Sequence, residues 1–66
     1  MTFEEARQGL HKGVLVYWTD PDREEVMNCS RSITIAHASF HGDEFICLVA
    51  EDESVVECLP EELSFL

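Results

Sequence analysis

Residues 44–66 read Glu44-Phe45-Ile46-Cys47-Leu48-Val49-Ala50-Glu51-Asp52-Glu53-Ser54-Val55-Val56-Glu57-Cys58-Leu59-Pro60-Glu61-Glu62-Leu63-Ser64-Phe65-Leu66, and this stretch decides the fold. Residues 44–50 form a nearly continuous apolar run, the pattern of a central strand buried on both faces. Glu51-Asp52-Glu53 interrupts it as a turn. Residues 55–59 return to β-branched and apolar residues, a second strand. Pro60-Glu61-Glu62-Leu63 then reads as a single helical turn, with Pro at the first position, where an absent N–H costs no hydrogen bond. Ser64-Phe65-Leu66 closes as a short last strand.

Working upstream, residues 33–40 alternate, with Ile33 and Ile35 on one face and Thr34, Ala36 and Ala38 on the other. His41-Gly42 is a tight-turn signal, since Gly accepts φ > 0. The strands on either side therefore make a three-strand meander. Ser30-Arg31-Ser32 is a break, and residues 25–29 read as a weak strand or as irregular chain. Thr19-Asp20-Pro21-Asp22 reads as a turn, marked by Pro21 between two aspartates. Val14-Leu15-Val16-Tyr17-Trp18 is a first strand of β-branched and aromatic residues.

The first residues predict a helix over about 3–11. Thr2 and Glu5 make the S/T-x-x-E capping pair, Phe3, Ala6 and Leu10 form a narrow apolar stripe, and Glu4 and Glu5 lie at the positive end of the helix dipole. Lys12 and Gly13 mark its end. A helix this short must pack on something to persist. The expected core is Leu15, Ile33, Ile35, Ile46, Leu48, Val56 and Leu63, and Cys47, inside the most apolar run, is expected to be buried.

This element order resembles the small five-stranded barrels of the Tudor, KOW and Src-homology-3-like kind. The residues carrying the resemblance are Gly13 to Trp18 and Phe45 to Leu66. Val55 to Phe65 in particular looks like the penultimate strand, 3₁₀ turn and final strand of those barrels. The resemblance implies a mainly β (α+β) fold. In it, a short N-terminal helix (residues 1–12) precedes a five-stranded antiparallel small barrel (residues 13–66), with a 3₁₀ turn before the last strand, as one domain. Tudor-like readers hold methylated side chains in an aromatic cage, for which Tyr17, Trp18 and Phe40 are the aromatic residues at hand. KOW modules contact nucleic acid through a basic surface, which this chain lacks. The resemblance thus implies a fold and no activity.

Charge narrows the class of partner. Fourteen Asp and Glu stand against four Lys and Arg in 66 residues, a formal net charge of −10. Such a field repels nucleic acid and anionic membrane and attracts basic protein surfaces. No window approaches the ~20 apolar residues of a membrane span. The opening residues lack the basic start and apolar run of a secretory signal, and three cysteines, Cys29, Cys47 and Cys58, fit poorly with a disulfide framework. A cytoplasmic protein with reduced thiols is expected.

The chemistry-bearing residue types do not assemble into a motif. His37 and His41 with the three cysteines lack any C-x-x-C spacing for zinc. Asp20, Asp22 and Glu24 echo a calcium loop, but Glu25 and Arg31 stand where that loop needs Gly and Glu. There is no Gly-rich phosphate loop and no recognisable nucleophile and base pair, so no enzyme activity, metal or cofactor is expected.

The acids concentrate in turns, where charge also serves plain solubility. The expectation is a non-catalytic acidic module that occupies a basic, nucleic-acid-binding surface of a protein partner, without touching nucleic acid or membrane itself. Phage-encoded inhibitors, anti-CRISPR proteins among them, are similar in size and charge. The expected contact residues are Asp43, Glu44, Glu51, Asp52 and Glu53, with Tyr17 and Trp18, of which adjacent strand positions put one on each face. Two other classes stand beside this one: a Tudor-like adaptor that binds a peptide or modified residue through an aromatic anchor, and a small homo-oligomeric structural protein pairing through a strand edge.

Overall fold

The computed structural model describes residues 1–21 and 29–66. A short helix, α1 (Phe3–Gly9), precedes five antiparallel strands among the described residues: β1 (Leu15–Trp18), β2 (Arg31–His41), β3 (Phe45–Ala50), β4 (Val55–Cys58) and β5 (Leu63–Phe65). A 3₁₀ turn over Pro60–Glu62 comes just before β5. The expected fold class is therefore the observed one. Residues 25–28 of the segment read as a weak strand or irregular chain, and Asp22 of the first turn, lie outside the described residues.

The strand order in the sheet is β4-β3-β2-β1-β5. Its two edge strands are consecutive in sequence, separated only by Leu59 and the 3₁₀ turn. A flat sheet of this order would hold its edges about 19 Å apart at ~4.8 Å per strand. A link with a 3₁₀ rise of ~2 Å per residue covers much less than that. The sheet must therefore curl, and the concave side becomes the core. Val16, Ile33, Ile35, Ile46, Leu48, Ala50, Val56, Cys58 and Leu63 fill it, and Ala6 and Leu10 cover it from the N-terminal side.

Strand parity decides which residues face inward, and it corrects two expectations. In β1 the inward residue is Val16, fully buried opposite Ile33, whereas Leu15 is 44% exposed opposite Thr34. Hydrophobicity alone places Leu15 in the core; pairing to β2 puts it on the outer face. In β2 the register shifts between Ile35 and His37, so that Ala36 has no partner on β3. Such a bulge flips the parity of the residues after it. Ala38 and Phe40 accordingly turn to the core side, while His37, Ser39 and His41 turn out. Plain alternation puts Ala38 on the face opposite Ile35, and the bulge reverses it.

The run in β3 also alternates instead of being buried on both faces. Ile46, Leu48 and Ala50 are buried, and Phe45, Cys47 and Val49 are half-buried on the outer side. Cys47 is thus not the buried thiol; Cys58 is, and Cys29 is exposed. Burial pushes the Cys58 thiol up to about 12, with Glu62 and Cys47 adding to the shift.

In α1 the capping box forms as the sequence predicts: Thr2 Oγ1 accepts from the Glu5 N–H at 3.1 Å and Glu5 Oε1 accepts from the Thr2 N–H at 3.1 Å. The helix ends at Gly9, two residues short of the expected end. Leu10 turns to extended backbone and drops its side chain into the core. Gly9 lies flat against the Phe65 ring, where a Cβ would come within 2.4 Å of Cζ. Arg7 ties the helix to the far end of the sheet. Its Nη2 donates to the Gly42 carbonyl at 2.7 Å and to Asp43 Oδ1 at 2.6 Å, and its guanidinium sits 5.6 Å and 5.7 Å from the Phe3 and Phe40 ring centres.

Two outcomes check this assignment. In urea titrations Val16→Ala should lose about 2 kcal/mol by leaving a cavity, and Leu15→Ala less than about 1 kcal/mol. Under native conditions a thiol reagent followed by mass spectrometry should modify Cys29 first and Cys47 more slowly, and should reach Cys58 only when the protein opens.

Candidate acidic interface

The two hairpin turns lie at opposite ends of β3, about 17 Å of strand apart at ~3.4 Å per residue. At one end, Gly42-Asp43-Glu44 joins β2 to β3, with Gly42 at φ +58 and the Glu44 N–H donating to the His41 carbonyl at 3.1 Å. At the other, Glu51-Asp52-Glu53-Ser54 joins β3 to β4, closed by the Ala50 N–H donating to the Ser54 carbonyl at 2.8 Å. Glu53 takes φ +72 there. The predicted acids therefore form two exposed groups at the ends of the meander, and not one patch.

The acids divide by what their carboxylates do. Asp43 is ion-paired to Arg7. Asp52 organises its own turn, accepting from the Ser54 N–H at 3.0 Å and from the Ser54 hydroxyl. The Ser54 hydroxyl first, then its N–H, holds the Asp52 carboxyl below its ordinary 3.8. Arg31 donates to the same Ser54 Oγ at 3.0 Å. Glu62 accepts from the Trp18 indole N–H at 3.0 Å and from the Leu59 N–H at 3.3 Å. Glu5 caps α1, and Asp20 accepts from the Cys29 N–H at 2.8 Å.

Glu44, Glu51, Glu53, Glu57 and Glu61 are exposed, and among the described residues their carboxylates make no hydrogen bond or ion pair. These five lie on the β3–β4 side of the sheet or just beyond β4, while Glu4, exposed and equally without such a contact, lies on α1. Of the five, Glu57 and Glu61 are not among the expected contact residues; the strand period of residues 55–58, with Val56 and Cys58 inward, is the signal that puts Glu57 outward.

The aromatic residues do not converge. Tyr17 is 37% exposed on the outer face of β1, in register with Ser32 and Ser64. Trp18 and Phe40 pack against the core from the inner side, and the Trp18 indole is held by Glu62. Tyr17 therefore lies on the face opposite to Trp18 and Phe40. His37 and His41 both point outward from β2, and His41 stacks on Phe45 with ring centres 4.4 Å apart. Of the three acids read against a calcium loop, Asp22 and Glu24 lie outside the described residues. A surface cavity of about 230 Å³ is lined by Arg31, Thr34, Glu51, Asp52 and Ser54, among others. No helix among the described residues is long and apolar enough to cross a membrane.

Comparison with protein-family models, with curated proteins and with solved structures finds no match. The reading of this surface therefore stands on its geometry and charge.

The Asp52 contact sets a pH dependence. Its folded pKa is depressed, so the stability it contributes is present above the unfolded value near 3.8 and is lost as pH falls through the folded value. In an NMR titration Asp52 should protonate below pH 3.8 in the wild type, and Ser54→Ala should bring its midpoint back up towards that value.

Proposed function

We propose that the chain is a non-catalytic acidic module that binds a basic protein surface and keeps nucleic acid off it, working in the cytoplasm as small phage-type inhibitors do. The observation that supports this reading is the group of described carboxylates on the β3–β4 side without an internal partner: Glu44 at one end of the meander, Glu51 and Glu53 at the other, and Glu57 and Glu61 along and beyond β4. A net charge of −10 on a body 32 × 24 × 20 Å gives these groups a long-range field that speeds encounter with a basic partner. Exposed carboxylates lose little hydration on folding and contribute little to it. Their mutual repulsion is then a cost that binding to cations relieves.

A second reading rests on Tyr17. Its ring shares the outer face of β1 with Leu15, in a row whose neighbours on β2 and β5 are Ser32, Thr34 and Ser64. A row of small polar residues around one exposed aromatic is the surface of an adaptor that binds through an aromatic anchor.

Salt and mutation separate the two. The triple variant Glu44→Gln, Glu51→Gln, Glu53→Gln leaves the Arg7–Asp43 pair and the Asp52 turn intact. Its melting temperature should be unchanged or slightly higher than that of the wild type. Its association rate with a lysine-only peptide should fall by about tenfold at low salt, with the difference shrinking as salt is added. Glu4→Gln is the control, because Glu5 is committed to the helix cap. Equal rates for wild type and triple variant would remove the acidic reading and leave Tyr17 in front.

A further inference from the structure

We infer that the outer face of β3 and β4 is the centre of the contact, and that it receives a protein surface whose apolar side chains are flanked by lysine or arginine. This rests on the reading of the chain as an acidic module and says which face does the binding. Phe45, Cys47 and Val49 form one outward column on β3. Val55 stands beside Val49 in register, and Glu57 stands beside Cys47. On the β2 side the same row holds His37, Ser39 and His41. Val55 is 59% exposed, and Phe45, Cys47 and Val49 are half-covered.

The charges around this stripe identify its occupant. Glu44 lies at its β2–β3 end, Glu51 and Glu53 at the opposite end, and Glu57 on its β4 side. An apolar centre with a charged rim is the usual anatomy of a protein interface. A second copy of the chain would set these carboxylates against its own, so self-association through this face is opposed. A basic partner meets complementary charge on three sides. The outer face of β1 has serine and threonine as row neighbours, and it meets Glu51 and Asp52 at one end, where they line a cavity with Ser32 and Thr34, instead of acids on three sides. β4 is also a sheet edge, which leaves room for the partner to extend past Val55.

Two synthetic peptides of strand length test this, one alternating lysine with valine and the other lysine with serine, equal in charge. The expected result is that the lysine–valine peptide binds the full chain at least about fivefold more tightly, because only it buries apolar surface. Its binding should shift the backbone NMR signals of Cys47, Val49, Val55 and Glu57. Val55→Ser, at an exposed position, should keep the wild-type spectrum elsewhere, lower that affinity about threefold, and leave lysine–serine binding unchanged. Equal affinities, with shifts confined to the two turns, would overturn the face assignment while leaving the acidic module standing. Shifts centred on Leu15 and Tyr17 would overturn it in favour of the β1 face. No binding by either peptide would overturn the acidic module and this inference with it.

Discussion

Leu59 to Glu62 carry the chain from one edge of the sheet to the other, and this short span is what the rest of the molecule answers to. It forces the curl that gives so small a protein an inside. Its geometry is fixed locally: Pro60 supplies a φ already suited to the turn, and the Glu62 N–H closes it on the Leu59 carbonyl at 3.0 Å. Glu62 then fastens the turn to the end of β1, the strand next to the opposite edge. One carboxylate oxygen takes the Trp18 indole and the other the Leu59 N–H, while the Glu62 carbonyl accepts from the Thr19 N–H at 2.8 Å. The last strand is thereby delivered beside β1, where Leu63 pairs with Trp18 and Phe65 with Val16.

The curl also explains the place of α1. A concave sheet of this size leaves one mouth of its core open, and a helix of two turns is enough to cover it. Ala6 and Leu10 enter the core, Gly9 sits against the tip of the Phe65 ring, which an added Cβ would push aside, and Arg7 holds the helix against the β2–β3 turn. Arg7 is one of four cations in the chain, and it is used inside the fold. The same is true of Arg31, which meets Ser54 at the other turn. Both cations are drawn to the hairpin ends, where each steadies one turn and leaves the neighbouring glutamates without a partner.

The element order was legible in the sequence because each element carries its own local signal: the Thr2–Glu5 pair, Pro60, and the apolar runs between acidic turns. What was not legible depended on pairing. Leu15 and Val16 are both apolar and adjacent, and only the register against Ile33 and Thr34 decides which one is inside. The bulge at Ala36 has no marker in composition, yet it reverses the sense of every later position in β2. Cys47, expected to be buried, is only half-buried for the same reason, and Cys58 is the buried thiol, since parity and not local hydropathy sets burial in a strand. Among the acids, sequence could place Asp43 and Asp52 in turns but could not say that the first meets Arg7, far along the chain, or that the second is taken by Ser54. The candidate surface was thus visible as charge and invisible as geometry.

Geometry changes what the charge can do. At physiological salt the field of an exposed carboxylate fades over about 8 Å, while the ends of β3 are about 17 Å apart. The two acidic ends therefore act as separate attractors, with Glu57 on β4 standing between them. A partner with a single basic cluster can satisfy only one of them. A partner with two basic clusters spaced to match gains at both ends, and the region between them must then tolerate the Phe45, Cys47, Val49 and Val55 stripe. A phosphate backbone offers nothing apolar to that stripe, and a groove shaped only for phosphates would leave it facing polar groups that lose water without a hydrogen bond in return. If the chain works as the acidic module proposed, charge spacing and the apolar middle together call for a protein surface with basic flanks and an apolar centre, which is a narrower requirement than net charge alone sets.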